Sequence, residues 1–261
     1  MIKQLLNAYR LLFPSRRYGS AIAGLIVFTA IVPVSEMLVA RIFSGILTHG
    51  KELYQADPGK LVEHILIFFG AFAVTRTIHH LLRAMRVWTV RRALAANPRK
   101  RAKADESWEW ALAFELTGII SVIVQIAVFS IFFLYLSKPI GALNIGVALA
   151  AISVIAWLYR RQLVKQRAYL AKPKEEKKKE KEIPIGMKVQ SRVIDAELGS
   201  VVASVGLFTM FGLLLWEVIM GSVPAADAIV LFLGLRLLYG QIGNMAGHLM
   251  RFARAAARIL A

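Results

Sequence analysis

Four ionisable side chains within or bordering the apolar stretches of this chain are the candidates for chemistry: Glu36, Arg76, Glu217 and Arg236. A charge at membrane depth costs about 2.5–3.5 kcal/mol on insertion scales, so such residues mark a polar pathway or a structural ion pair. Arg236 is the sharpest of the four, because it lies near the middle of its apolar run. Two readings of it stand. It faces a cavity or subunit interface and holds an anionic substrate or lipid headgroup, or it pairs with Glu217 or another buried carboxylate for structural reasons alone. Glu36 and Arg41 are five residues apart and point about 140° apart on a helix, so they do not pair with one another. Arg41 is expected to snorkel toward the interface, which leaves Glu36 as a pathway candidate.

A second group is cationic. Arg76, His79, His80, Arg83 and Arg86 include members three or four apart, which a helix gathers on one face. Such a face binds lipid phosphate or an anionic cargo, or it anchors a helix that is leaving the bilayer. His79 and His80 are adjacent and point about 100° apart, a poor geometry for a shared metal. His49, His64 and His248 are isolated in the sequence, and the chain has no cysteine. No metal, cofactor or catalytic residue is therefore expected. Serine and carboxylate residues are scattered with no nucleophile motif.

The elements that must position these groups are membrane helices. Over half of the 261 residues are apolar (57%), and the mean hydropathy is +0.58, too apolar for an ordinary soluble domain. The pattern predicts an all-α polytopic membrane protein of six transmembrane helices with an N-terminal interfacial helix. Residues 1–17 carry Ile2, Leu5, Leu6, Tyr9 and Leu12 at helical spacing, with Lys3, Gln4, Asn7 and Arg10 opposite, and then break at Pro14. Residues 18–261 form the transmembrane domain. Its apolar runs cover about 18–47, 61–74, 112–136, 140–159, 199–220 and 225–250, each compared with the roughly 20 residues that cross a bilayer. The second run continues without a breaker into its cationic segment. Asp57-Pro58-Gly59, Ser137-Lys138-Pro139 and Gly221-Ser222-Val223-Pro224 are turn signals. Loops at about 91–110 and 160–198 separate the remaining spans, the latter holding a Lys/Glu linker over 172–182.

Charge sets the orientation. The formal net charge is +17, and basicity of that size can signal nucleic acid or membrane topology. Residues 91–108 hold six Lys and Arg and residues 159–198 hold twelve, whereas the three opposite turns hold only Lys51, Lys60 and Lys138. The positive-inside rule then puts both termini and both large loops in the cytoplasm. That accounts for most of the basicity, and no nucleic-acid partner is expected. Membrane lipids are the expected surroundings, in a bacterial inner (cytoplasmic) membrane.

Glycines punctuate the last two runs. Gly240, Gly243 and Gly247 lie largely on one helix face and could form a dimer seam, or pack within the subunit.

The layout resembles the membrane domain of ABC exporters. The most specific stretch is 198–259: a Gly-dotted span, Met220-Gly-Ser-Val-Pro-Ala-Ala-Asp227, an apolar span with Gly234 and Tyr239-Gly240, and Arg251-Phe-Ala-Arg-Ala-Ala-Ala-Arg-Ile259. Tyr159-Arg-Arg-Gln-Leu-Val-Lys-Gln-Arg167 is similar to the family as well. The resemblance implies a permease half acting as a homo- or hetero-oligomer, with alternating access driven by ATPase domains. No G-x-x-x-x-G-K-[ST] loop occurs, so any ATPase is expected to be a separate subunit, and this chain is not itself expected to be an enzyme. The cytoplasmic loops are shorter than the family's helical extensions. That favours a rival expectation, a non-transporting scaffold subunit that organises other membrane proteins.

Overall fold

A computed structural model describes residues 1–97, 103–171 and 185–259, and side chains within these ranges except 103–105, 169 and 185–189. The Lys/Glu linker at 172–182 and most of the basic connector after Pro98 lie outside the described residues. The described chain is helical throughout, with no strands among the described residues.

Helix α1 (Ile2–Leu12) buries Leu5, Ala8 and Leu12, while Ile2 and Leu6 stay exposed. An interfacial helix needs that two-sided apolar character, one side for the bundle and one for lipid. Pro14, which lacks a backbone donor, follows its end. The Tyr9 hydroxyl donates to the Gly19 carbonyl, and Tyr159 Oη donates to Gln4 Oε1 at 3.0 Å. These bonds tie α1 to the bundle at two points.

Helix α2 (Arg16–Ala56) runs unbroken through Pro33. Asp57 stops it and caps α3 (Pro58–Ala95), its carboxylate accepting from the backbone N–H groups of Gly59 at 3.0 Å and Lys60 at 3.4 Å, with Pro58 at the first helical position. Helices α4 (Lys103–Leu136) and α5 (Lys138–Ala171) meet in a tight turn. There a side chain on Gly141 would stand 2.5 Å from the backbone of Leu134, so only glycine allows the approach. Helices α6 (Ile185–Ile219) and α7 (Ala225–Ile259) are joined through Gly221, whose φ of +73° is left-handed.

Six of these seven helices, α2 to α7, are long and apolar enough to cross a membrane, so the chain is an integral membrane protein. All are longer than a span requires. At about 1.5 Å per residue, the 35 residues of α7 make a rod of roughly 52 Å against a hydrocarbon core of about 30 Å. The 91–110 and 160–198 segments, expected as loops, are in large part helical continuations of α3, α4, α5 and α6.

Helix α7 is the hub. It packs against α2, α4, α5 and α6 and buries residues along its whole length, from Val230 to Ala257. Helix α3 is the opposite case. It packs chiefly along α2, and no residue of its most apolar 18-residue window is buried within the chain. A helix apolar all round, with neighbours on one side only, is solvated by lipid or covered by another subunit.

Candidate functional site

The lateral position of α3 leaves a cleft of about 620 Å³ between α2, α3 and α7. From α2 come Glu36, Met37, Val39, Ala40 and Phe43; from α3 come Phe68, Phe72 and Arg76; from α7 come Leu233, Arg236, Leu237, Gly240, Gln241 and Asn244. Three of the four intramembrane charges singled out in the sequence thus converge on one cavity. Glu217 does not join them: it is half-buried near the end of α6 and is absent from the cleft wall.

Helical spacing explains the convergence. Leu233, Arg236 and Leu237, then Gly240, Gln241 and Asn244, recur every three or four residues and form one stripe on α7. Antiparallel packing of α2 and α3 sets Glu36 opposite Arg76 and Phe43 opposite Phe68, the latter pair with ring centroids 5.2 Å apart. Arg76 Nη1 stands 3.3 Å from Glu36 Oε1, and its guanidinium lies 5.5 Å from the centre of the Phe72 ring. The Glu36 oxygen is buried and has no aligned hydrogen bond, so this ion pair is Coulombic rather than well directed.

Arg236 has no ion pair and no hydrogen bond among the described residues. The alternative of a bridge to Glu217 is not what the structure forms, and no other carboxylate among the described residues takes its place. The cleft therefore holds two guanidiniums and one carboxylate, a formal excess of one positive charge, between a phenylalanine wall and the amides Gln241 and Asn244. A cationic group in a low-dielectric cavity favours an anion, and the apolar wall favours a ligand with a hydrocarbon body.

The cationic segment of α3 is unevenly exposed. His80 and Arg83 are exposed, whereas His79 and Arg86 are half-buried. His79 Nδ1 and Arg86 Nε are buried without hydrogen-bond partners. The rings of His79 and His80 meet edge-on at 5.6 Å.

The glycine seam divides. A side chain on Gly240 would meet nothing within 4 Å, because it opens onto the cleft. Gly243 sits against Ser200 of α6, 3.6 Å from its Cα, and Gly247 makes room for the Arg251 guanidinium at 3.5 Å. Gly243 therefore serves packing inside the chain.

Two polar constellations escaped the sequence reading. Arg41 Nε pairs with Asp227 Oδ1 at 3.0 Å, and Ser44 Oγ donates to the Ala226 carbonyl at 2.8 Å. Both contacts clamp α2 to the first turn of α7, where a carboxylate is also favoured by the helix dipole. The available signal was Asp227, an acid in the first turn after Pro224. His248, isolated in the sequence, is not isolated in space. Its Nδ1 lies 2.6 Å from Glu115 Oε2, and Arg251 Nε donates to Glu115 Oε1, also at 2.6 Å. With Nδ1 carrying the proton given to Glu115, the Arg251 Nη2 contact to the same nitrogen at 3.1 Å is proximity rather than a second hydrogen bond. His248 and Arg251, one turn apart on α7, share a single carboxylate of α4. No known family model matches this chain, and no curated protein matches it either.

Proposed function

We propose that this chain is one half of a transmembrane transport pathway, a permease-like subunit whose cleft between α2, α3 and α7 receives an amphipathic anion. The carrying observation is Arg236, a guanidinium with no counter-ion among the described residues, in the middle of an apolar helix and facing a cavity of about 620 Å³. Intramembrane charges are kept where they face a pathway or a partner. The Glu36–Arg76 pair beside it leaves the cleft's charge excess to Arg236.

The cleft is walled by three helices, and α3 has neighbours on one side only. A second copy of the chain, or a related subunit, would complete an enclosed pathway. This is consistent with the layout of an ABC exporter half, with energy supplied by an ATPase on another polypeptide. The distribution of Lys and Arg supports an orientation with both termini in the cytoplasm, as in a bacterial inner membrane.

One observation favours a second reading. The apolar length of α3 packs on α2 alone, and no residue of its most apolar window is buried, a surface suited to holding another membrane protein in place of a transport partner. The discriminating experiment is a mass-spectrometric inventory of the gently solubilised complex. An ATPase at near-equal stoichiometry supports the permease. Unrelated membrane proteins with no ATPase support the scaffold. Arg236→Ala is expected to impair ligand binding or assembly while leaving membrane insertion intact, and a variant normal in both respects would remove Arg236 from the site.

A further inference from the structure

A second, smaller cavity of about 250 Å³ lies between α6 and α7 at the basic end of the bundle, and the transport reading makes no use of it. Its wall is Arg192, Val193 and Ala196 of α6 with Gly247, Met250 and Arg251 of α7. Two guanidiniums thus face one hollow whose remaining wall is apolar. Arg254 lies within electrostatic range of Arg192 and adds a third positive charge.

The counter-charges are accounted for elsewhere. Arg251 is held by Glu115 at 2.6 Å, and the Arg254 guanidinium sits 4.8 Å from the centre of the Trp108 ring. Asp195, one turn beyond Arg192, is buried and turned toward α5, where Arg161 and Lys165 lie at 3.7 and 4.0 Å. Glu197 is exposed and forms no ion pair among the described residues. Arg192 is half-buried and has no acceptor among the described residues. Glu115 offsets the Arg251 charge but makes no contact with Arg192, so the guanidinium facing Arg251 across the hollow is stabilised by an anion in the space between them.

The depth of the cavity narrows the ligand. Arg251 directly follows the last apolar residue of its run, and Arg192 is seven residues, roughly 10 Å of helix, before Gly199. Headgroups add about 5–7 Å on each side of the hydrocarbon core, so Arg251 starts within that layer and Arg192 just beyond it, from where its long side chain reaches back to headgroup height. A hollow lined by two guanidiniums together with Val193, Ala196 and Met250 matches a phosphate joined to a glyceryl chain. We propose that Arg192 and Arg251 bind the phosphate group of an anionic phospholipid in this cavity.

The same phosphate chemistry could come from a soluble anion, so the test has two arms, both on the full chain in neutral detergent. In the first, native mass spectrometry counts bound phosphatidylglycerol against phosphatidylcholine. The parent chain is expected to retain phosphatidylglycerol preferentially, and Arg192→Gln to lower its affinity about fivefold, the effect of one interfacial basic residue. Arg192→Lys should retain most of the preference, and Arg16→Gln, at an exposed arginine on α2, all of it. In the second arm, inorganic phosphate is titrated while thermal unfolding is followed. A phosphate-dependent rise in melting temperature that Arg192→Gln abolishes, without any lipid preference, would assign the phosphate site to a soluble anion. Should Arg192→Gln fail to fold, Arg192→Ser and Arg251→Lys serve in its place. Lipid retention and phosphate response identical to the parent in a folded Arg192 variant would overturn the proposal.

Discussion

Gly199→Ala is a single-methyl perturbation whose effect can be worked out from the packing of α6 on α7. A Cβ at residue 199 would lie 2.3 Å from Ala246 Cβ and 3.7 Å from Ala246 Cα, with Ile155 Cγ1 at 3.5 Å. Ordinary contact begins near 3.4 Å, so the two helices must separate by roughly 1.1 Å at this level. No rotamer change relieves the clash, because both methyls are fixed to helix backbone. A gap of about 0.5–1 Å forfeits a quarter to a half of each dispersion contact it opens, and overpacked cores lose about 1–3 kcal/mol. The unfolding equilibrium constant should therefore shift about 5- to 150-fold, read as reversible unfolding in mixed micelles by circular dichroism. Ala246→Gly removes the opposing methyl, so the double variant should regain at least half of the loss. Gly212→Ala is the control, since a methyl there meets nothing within 4 Å. Parental stability in Gly199→Ala, or a deficit that Ala246→Gly leaves untouched, would refute the close approach of these helices.

Three further outcomes are expected. Arg41→Ala and Asp227→Asn should each lower stability by about 1 kcal/mol, and the double variant should fall short of their sum, because the 3.0 Å pair is removed by either one; a double-mutant cycle by thermal unfolding checks this. Glu115→Gln should loosen both His248 and Arg251, at a cost of about 1–3 kcal/mol for stranding charged partners, and unfolding in neutral detergent would register it. Deletion of residues 174–182 should leave expression and stability unchanged, since a Lys/Glu-rich tract is too polar to contribute core; loss of a co-purifying partner on that deletion would instead identify the tract as a docking element.

Much of the fold is legible in the sequence because lipid imposes so few options. An apolar run near 20 residues has to be a helix, as every backbone polar group must be satisfied internally. Asp57-Pro58-Gly59 is readable for a local reason, since cap, first-turn proline and turn glycine all act within three residues. Helix ends were less legible. Charged, alternating sequence such as 160–171 reads equally as loop or as helix leaving the bilayer, and only packing decides. The cleft was half legible. Glu36, Arg76 and Arg236 stand out by cost alone, but their convergence depends on α3 packing along α2 and apart from α4. Arg41–Asp227 and Glu115–His248–Arg251 were not legible. In each the acid and its basic partners are separated by more than a hundred residues, and periodicity along one helix carries no information about which face meets which neighbour. The Arg76–Arg86 segment illustrates the same limit: spacing of three and four gathers these cations on one side of α3, but only packing on α2 leaves His79 and Arg86 half-buried and His80 and Arg83 exposed.

The chain has no cysteine, so one introduced thiol reports unambiguously on its own surroundings. Gly240→Cys sits on the cleft wall in open space, beside Arg236. A small water-soluble maleimide should label it in membranes, and an alkyl phosphate should slow that labelling while a quaternary ammonium of equal chain length does not. Adding Arg236→Gln should abolish the protection. Equal protection by the anionic and cationic amphiphiles, or protection that survives Arg236→Gln, would contradict an anion-binding cleft built around that arginine.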